Sequence, residues 1–156
     1  EKYHSEMLGH NYRMPEIEAA IGYIQLKKLP SFLEKRRRNA EQLTKKLEEC
    51  DKLLLPREPE GYRHSWYLYT VRLKNANANR RDAFVNELRK HGIGAAVYYH
   101  TPIHMMSFYR RFGAYRLPET ELAAQQVLSL PVHPGVSEEQ IDFIAETVIQ
   151  TLKKPR

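Results

Sequence analysis

Apolar residues recur at helical spacing in two consecutive stretches near the start of the chain. In the first, Pro15 suits the opening position of a helix, and the apolar period continues to Leu29. Pro30 follows, and proline removes a helical hydrogen bond and clashes with the preceding turn. The pattern therefore predicts a helix over 15–29 that ends at a sharp bend. A second helix is predicted from Ser31, a suitable cap, with an apolar stripe formed by Leu33, Ala40, Leu43 and Leu47.

The rest of the chain alternates between short strand patterns and helix patterns. Aromatic and β-branched residues predict strands over 67–73 and 93–99. Gly92 stands where a left-handed residue would end the helix that is predicted over 80–91. A capping box formed by Ser137 and Gln140 predicts the start of the last helix. The apolar stripe of this helix consists of Ile141, Ile144, Ala145, Val148 and Leu152. The other predicted elements are an extended piece at 53–55, a turn at 75–79, a helix over 117–128 and a short strand at 129–132.

This order of elements predicts the fold class. Two helices come first, and strands then alternate with helices to the end of the chain. Such an order favours an α+β fold in which helices cover a small, mostly antiparallel sheet. With 156 residues, of which 42% are hydrophobic, the chain suffices for one domain with a buried core.

Composition narrows the class of protein without indicating a chemistry. The longest apolar stretches fall well short of the about 20 residues that a membrane helix needs, and the first residues lack a signal-peptide pattern. Cys50 is the only cysteine, so no internal disulfide can form and a reducing compartment is permitted. We therefore expect a cytoplasmic protein without a membrane-spanning segment.

Positive charge is concentrated in the second predicted helix. The net charge is +6 and the isoelectric point is near 9.4, values that favour anionic partners. The run from Lys35 to Arg38 supplies much of this excess. We interpret the run as the solvated face of a helix, and the alternative is a dedicated site for a polyanion.

Residue types and spacings argue against several kinds of active site. His100 and His104 are four residues apart, but Pro102 between them disfavours a helix that presents both rings to a metal. No cysteine or nearby carboxylate completes a ligand set, and the sequence has neither a Gly-x-Ser-x-Gly elbow nor a glycine-rich phosphate loop. We expect no metal site, and chemistry confined to this chain is doubtful.

Two segments are dense in polar and aromatic side chains although they are predicted to be loops. In residues 9–14, the amide of Asn11 and the guanidinium of Arg13 precede a predicted helix start, an arrangement that suits a phosphate. The alternative is that Asn11 caps a turn and Arg13 is a surface charge. In residues 98–104, the alternative to a binding role is a strand end with half-buried tyrosines.

These segments resemble the DegT/DnrJ/StrS family, the sugar aminotransferases of the aspartate-aminotransferase fold. Residues 9–16, followed by Ala19-Ala20-Ile21-Gly22, resemble the family's Gly-x-Asn-x-Arg element and its Ala-Ala-Ile-Gly continuation. Further matches follow in order: Gln25-Leu26, Arg36-Arg37 with Ala40, residues 64–69, Gly92-Ile93-Gly94, Pro102-Ile103-His104 and residues 128–135. Their order and spacing make a chance similarity improbable.

The resemblance implies a pyridoxal-phosphate-dependent aminotransferase of which residues 1–156 are the C-terminal, small domain. A larger N-terminal domain, absent from this chain, would hold the cofactor on a Schiff-base lysine. We therefore expect no catalytic residue here and no activity from the isolated chain. In the family, the asparagine that matches Asn11 reaches across a dimer interface to the cofactor phosphate of the other subunit. The chain is thus expected to contact the cofactor through Asn11 and to form a homodimer within its parent.

The resemblance also implies a set of substrate-binding residues: Arg13, Tyr98, Tyr99, His104 and Tyr109. The segment around them is similar to the family's His-Tyr-Pro-x-Pro-x-His element, although a tyrosine stands at position 98 where many relatives have histidine. His100 likewise replaces a proline. The implied reaction is a two-stage transamination, in which an amino donor, usually glutamate, loads the cofactor and a nucleotide-linked keto-sugar then receives the amino group. Nucleic acid and membranes are not expected partners.

Two other classes of function compete with this interpretation. The basic run at Lys35–Arg38 would suit a regulatory or nucleic-acid-binding module, but the sequence shows no recognisable element for base readout. The second is a structural or dimerisation domain that has lost catalysis. A Schiff-base lysine in the parent would distinguish the enzyme from both.

Overall fold

The computed structural model, which describes residues 6–153, contains helices and three short strands. The helices are α1 (Glu16–Leu47), α2 (Ala78–Lys90), α3 (Ser107–Arg110), α4 (Pro118–Gln126) and α5 (Glu138–Lys153). The strands are β1 (Leu53–Leu54), β2 (Tyr69–Leu73) and β3 (Val127–Leu130), and a 3-10 turn covers Ile103–Met105. Two compact units divide this described part into residues 6–31 and 32–153, and their boundary falls within α1.

Helix α1 continues through Pro30, so the predicted break is wrong. Pro30 removes one amide donor from a helix of 32 residues, and most of its neighbours are good helix formers. The C-terminal part of α1 also buries Leu43 and Leu47 completely. Burying two leucines contributes about 3–6 kcal/mol, which offsets the about 3 kcal/mol that a proline costs inside a helix.

The three strands form one antiparallel sheet in the order β1-β2-β3. The central strand β2 pairs Leu73 with Leu53 of β1 and Tyr69 with Leu130 of β3. Along β2, Tyr69, Val71 and Leu73 are buried and alternate with two half-buried residues, as expected where one sheet face joins a core. The predicted α+β class, a small antiparallel sheet with helices, is confirmed.

One hydrophobic core combines residues of the sheet with residues of α1, α2 and α5. The apolar stripe predicted for the last helix is buried at Ile141, Ile144, Ala145 and Val148, while Leu152 is partly buried. Its capping box is also confirmed. The amide of Ser137 donates to Oε1 of Gln140 at 2.9 Å, and the amide of Gln140 donates to Oγ of Ser137 at 3.3 Å.

The strand predicted over 93–99 is wrong and is reduced to a single bridge between Ala96 and Ser129. A tight turn, closed by the amide of Ala95 and the carbonyl of Ile93 at 2.8 Å, bends the chain just before that bridge. Pro131 follows β3 and has no amide with which to extend a ladder. For the same reason β3 ends at Leu130, two residues before the end of the strand predicted over 129–132.

Helix α2 begins inside the turn that was predicted over 75–79. Asn77 caps it, since its side-chain oxygen accepts from the amide of Arg80 at 2.9 Å. The predicted stop at Gly92 is confirmed by its φ of +80°. Helix α4 ends at Gln126, earlier than the predicted 128, because the chain enters β3 at Val127.

Candidate functional site

The first predicted site segment lies in residues 6–31, where every side chain is exposed. Neither the amide of Asn11 nor the guanidinium of Arg13 has a hydrogen-bond or ion-pair partner among the described residues. The rings of His10 and Tyr12 lie 5.1 Å apart, centroid to centroid. Both donors are therefore available to a ligand.

The helix that follows this segment does not itself favour an anion. Helix α1 begins at Glu16, and its first turn carries the carboxylates of Glu16 and Glu18. These negative side chains already complement the positive end of the helix dipole. A phosphate held here would depend on the side chains of Asn11 and Arg13.

The second predicted segment leaves the sheet after Ala96 and continues into the 3-10 turn and α3, neither of which was predicted. Tyr98 and Tyr99 are 60% and 70% exposed, so the alternative of half-buried tyrosines at a strand end is wrong. His104 lies in the 3-10 turn and Tyr109 lies in α3.

His104 is the most constrained of the predicted substrate-binding residues, since its side chain is only 9% exposed. Its Nε2 lies 3.1 Å from Oε1 of Glu121 in α4. The same oxygen accepts the amide of Leu117 at 2.9 Å. The Leu117 amide and then the His104 ring lower the pKa of Glu121, because both hydrogen bonds stabilise the carboxylate. Glu121 is therefore an anionic acceptor at neutral pH.

His104 and Tyr109 line the same cleft, which has a volume of about 370 Å³. This aromatic cleft is formed by Ile103, His104, Tyr109, Phe112, Tyr115, Leu117 and Thr120. Three aromatic rings make its wall mainly apolar, and the polar groups are few. Such a cleft suits a flat apolar group that is oriented by one or two hydrogen bonds.

Tyr98 lies in a different cleft, of about 560 Å³, so the structure does not bring it together with His104. This larger cleft has a polar wall that includes Arg36, Ser129, His133 and Gln140. Tyr99 lines neither cleft. The four residues grouped by the resemblance in segment 98–109 are thus distributed over two clefts and an exposed stretch of chain.

Two arginines of the basic run, Arg36 and Arg37, form hydrogen bonds within the protein. The interpretation of the run as a solvated helix face is therefore wrong for these two residues. Arg36 donates from Nη1 to the carbonyl oxygens of Trp66 and Tyr67, both at 3.3 Å. Arg37 forms a bidentate pair with Glu58, with N–O distances of 2.8 and 3.0 Å. The Arg37 guanidinium and, second, the amide of His64 lower the pKa of Glu58 to about 2. The ends of the run, Lys35 and Arg38, are exposed.

Arg36 holds a strained turn. Trp66 has a φ of +51°, which is rare for a bulky residue, and its side chain is buried. Its carbonyl accepts from Arg36, and its amide donates to Nδ1 of His64 at 2.8 Å. These two hydrogen bonds fix the backbone on both sides of the strained residue.

Residues 6–153 contain no group of three or more His, Cys, Asp or Glu side chains that could hold a metal ion. In that part of the chain no helix is both long and apolar enough to cross a bilayer. The two histidines considered as a metal pair differ in setting, because His100 is exposed whereas His104 is paired with Glu121.

Sequence reasoning misses most residues of the aromatic cleft and its support, including Phe112, Tyr115 and Glu121. The contact between His104 and Glu121 joins positions 17 residues apart, and no periodicity links them. The only signal is that Glu121 stands in the first turn of a predicted helix, where a carboxylate often bonds to backbone amides.

The fold described by this sheet and its helices is shared with solved pyridoxal-phosphate-dependent aminotransferases. The chain belongs to the DegT/DnrJ/EryC1/StrS aminotransferase family, whose profile matches residues 1–149. The family predicted from the two loop segments is therefore confirmed. Sugar aminotransferases recur among the similar proteins.

Two curated relatives cover nearly all of the chain. The UDP-N-acetyl-3-dehydro-α-D-glucosamine 3-aminotransferase of Acidithiobacillus ferrooxidans is 36% identical over 150 residues, which are 96% of this chain and 39% of that protein. The pleiotropic regulatory protein of Geobacillus stearothermophilus is 35% identical over 153 residues, 96% of this chain and 40% of the relative. The chain thus spans about two-fifths of the length of these relatives.

Solved structures give the same picture. S. venezuelae DesV matches with a TM-score of 0.88 and 29% identity, covering 100% of this chain and 41% of that one. The PLP form of Spr1654 from Streptococcus pneumoniae matches with a TM-score of 0.81 and 26% identity, covering 88% and 36% of the two chains.

Proposed function

We propose that the chain is the C-terminal, small domain of a cytoplasmic pyridoxal-phosphate-dependent aminotransferase. The parent enzyme transfers an amino group from glutamate to a keto-sugar linked to a nucleotide. Family membership over residues 1–149 is the observation that carries this proposal. The name of the Acidithiobacillus ferrooxidans relative supports the substrate class, because its 3-dehydro sugar is a keto-sugar carried on UDP.

The residues of the first site segment fit a phosphate-bearing cofactor. The amide of Asn11 and the guanidinium of Arg13 are exposed donors without partners among the described residues, and both groups bond well to phosphate oxygens. When bound, pyridoxal phosphate supplies the electron sink that lets an amino group pass from donor to acceptor. The Schiff-base lysine is proposed to lie in the N-terminal part of the parent.

This chain's own contribution is to bind the cofactor phosphate and the substrate and to enclose the site. Asn11 holds the cofactor phosphate of the partner subunit in a homodimer, and Arg13 pairs with phosphates in the same cleft. Tyr98, Tyr99, His104 and Tyr109 contact the substrate. Positioning of this kind lowers the barrier by fixing the reacting groups and by excluding water.

The role of Asn11 is tested by Asn11→Ala in the full-length parent. A lost hydrogen bond to a charged group costs about 1.5–3 kcal/mol, so cofactor affinity should fall roughly ten- to a hundredfold. Asn79→Ala removes another exposed amide and should leave cofactor affinity unchanged. Cofactor retention during dialysis, followed by absorbance, measures both variants. Equal retention in Asn11→Ala and Asn79→Ala would remove Asn11 from the site.

The direction of the contact is tested with heterodimers. One subunit carries Asn11→Ala, and the other carries a replacement of the Schiff-base lysine. If Asn11 acts across the interface, the surviving lysine faces an intact Asn11 from its partner, and this heterodimer keeps near-normal activity per intact site. A cofactor affinity equal to that of the Asn11→Ala homodimer would show that the residue acts within its own subunit or not at all.

The isolated 156-residue chain is expected to bind pyridoxal phosphate weakly and to show no transaminase activity. The reason is that no lysine in it has the sequence context of the family's Schiff-base lysine. Borohydride reduction with the cofactor, followed by mass spectrometry, measures covalent attachment. Stoichiometric trapping on this chain would contradict the division of roles proposed for the parent.

A regulatory or nucleic-acid-binding role is the second candidate, and the name of the Geobacillus stearothermophilus relative favours it. The structure leaves Lys35 and Arg38 exposed for such a role, although Arg38 lies 3.5 Å from a carboxylate oxygen of Glu138. Arg36 and Arg37 are less exposed and bond within the protein. Tight, salt-dependent DNA binding that is lost in a Lys35→Gln/Arg38→Gln variant would support this candidate. DNA binding that is weak and equal in both proteins would support the enzyme alone.

A further inference from the structure

We propose that the aromatic cleft binds the nucleobase of the substrate, and that Glu121 fixes the His104 tautomer that accepts a hydrogen bond from that base. The inference rests on the proposed function for one premise, that the substrate is linked to a nucleotide. Within that function it assigns a part of the substrate to this cleft, and it adds Phe112, Tyr115 and Glu121 to the residues involved.

The walls of the cleft suit a flat ring. Tyr109, Phe112 and Tyr115 are 45%, 64% and 61% exposed, so three aromatic faces are available around one opening. Arg111 stacks on Phe112, with its guanidinium carbon 5.1 Å from the ring centroid, and it lies still closer to the ring of Phe108. Any nucleobase can stack on an aromatic side chain, because every base has a π-face.

His104 supplies the polar contact. Its side chain is 9% exposed, and its Nε2 is occupied by Glu121. Its Nδ1 has no partner among the described residues, and it is not among their fully buried unpaired atoms. One nearly buried side chain in the wall of the cleft therefore has a ring nitrogen open to a ligand.

Glu121 decides what that nitrogen can do. A carboxylate only accepts hydrogen bonds, so the proton of a neutral His104 ring is on Nε2 and Nδ1 is an acceptor. The carboxylate is held by the amide of Leu117, at the start of α4, through the same oxygen. Glu121 thus acts as a positioning residue, and the backbone of α4 fixes the orientation of the imidazole.

A nucleobase matches this pattern better than a sugar does. The uracil of a nucleotide is flat and, because its N1 carries the ribose, offers a single ring N–H, N3–H, to one acceptor. A sugar instead presents several hydroxyl groups that need several polar partners. The cleft offers few polar groups beyond the single ring of His104 and the hydroxyls of Thr120, Tyr109 and Tyr115. Its volume of about 370 Å³ lies within the range of pockets that bind small ligands, about 300–1,000 Å³.

The test is an NMR titration of the 156-residue chain at pH 8 with uridine 5′-monophosphate and with its N3-methyl derivative. Ring nitrogen shifts report the His104 tautomer directly. We expect protonated Nε2, a shift of Nδ1 on addition of uridine 5′-monophosphate, and about tenfold weaker binding of the N3-methyl derivative, which lacks the N–H. An unmoved His104 signal, or equal binding of the two ligands, would overturn the proposal without any mutation.

Glu121→Gln should change the tautomer ratio and reduce the discrimination between the two ligands. Glu119→Gln removes a carboxylate from the same turn of α4 without a contact to His104, and it should keep both properties. Discrimination retained in Glu121→Gln would remove Glu121 from its positioning role. If the parent aminates a nucleotide-linked sugar but the cleft does not bind uridine 5′-monophosphate, only this inference fails. If the cleft responds but the parent transfers no amino group, the proposed function fails instead.

Discussion

Residues 6–31 and residues 32–153 contain the same kind of apolar helix pattern, and they use it differently. In the first region Ile17, Ile21 and Leu26 are 75%, 59% and 65% exposed. In the second region Leu43 and Leu47, which belong to the same helix α1, are completely buried. An apolar period is therefore enough to predict a helix in both regions, but it does not predict that the helix is buried within this chain.

The difference teaches where the stability of the chain comes from. Most helical stability in proteins comes from packing of an apolar face, so the part of α1 in the first region gains little from such packing. Exposed apolar patches often mark surfaces that bind something else. The chain spans about two-fifths of the length of its relatives, so the proposed parent has room for such a partner.

The largest difference between the two regions is expected when a leucine of α1 is replaced by alanine once in each region. Leu43→Ala removes a completely buried side chain and should lower the free energy of unfolding by about 2–5 kcal/mol. Leu26→Ala removes the same atoms where the side chain is 65% exposed and should change it by no more than about 0.5 kcal/mol. Urea denaturation followed by circular dichroism measures both. Comparable losses would mean that both regions are packed alike.

The second largest effect is expected at a buried charge of residues 32–153. Arg81 is 2% exposed, and it donates to the carbonyl of Ala124 at 2.5 Å and to Asp82 at 2.7 Å. Arg81→Met leaves that carbonyl unpaired, so the free energy of unfolding should fall by about 1–3 kcal/mol. Arg80→Met is the control at the neighbouring position, with an expected change within about 0.5 kcal/mol. If the two variants unfold at the same urea concentration, the buried hydrogen bonds of Arg81 contribute nothing.

Sequence predicts the elements whose signals are local. The capping box of Ser137 with Gln140 and the left-handed Gly92 depend only on neighbouring residues, and both are present. The errors occur where a distant contact overrides a local signal. Pro30 is tolerated because the far end of α1 is packed. The strand expected over 93–99 cannot extend towards residue 93, because its partner β3 ends before Pro131.

The candidate site shows the same limit. Asn11 and Arg13 are recognisable because the family's motif is contiguous in sequence, and their roles stay predictions. The pair of His104 and Glu121 is not recognisable, because the loop and α3 separate its members in sequence. The hydrogen bonds that Arg36 and Arg37 form within the protein could not be predicted either, because a basic run on a helix normally indicates a solvent-exposed face.

A smaller effect on the free energy of unfolding is expected at the start of α2, where the helix cap depends only on neighbouring residues. The side-chain oxygen of Asn77 accepts from the amide of Arg80, so Asn77→Ala should lower the free energy of unfolding by about 1 kcal/mol. Asn79→Ala removes an exposed amide within the first turn and is the control, with an expected change within about 0.5 kcal/mol. Denaturation midpoints in urea measure the difference. A midpoint unchanged by Asn77→Ala would show that the cap is unimportant.

The smallest effect is expected at the Arg37–Glu58 pair, and it appears as a dependence on pH. The pKa of Glu58 is lowered to about 2 in the folded protein from an ordinary value of 4.5, chiefly by the hydrogen bonds from Arg37. Since the folded pKa is the lower one, the stabilisation is complete above about pH 4.5 and is lost as the pH falls towards 2. The difference in urea midpoint between the wild type and Glu58→Gln should therefore shrink across that window, and salt should reduce it because the pair is partly exposed. Glu41→Gln removes a carboxylate 3.9 Å from the same arginine and should show a much weaker dependence. Parallel pH profiles for the wild type and Glu58→Gln would mean that the pair contributes no stability to the second region.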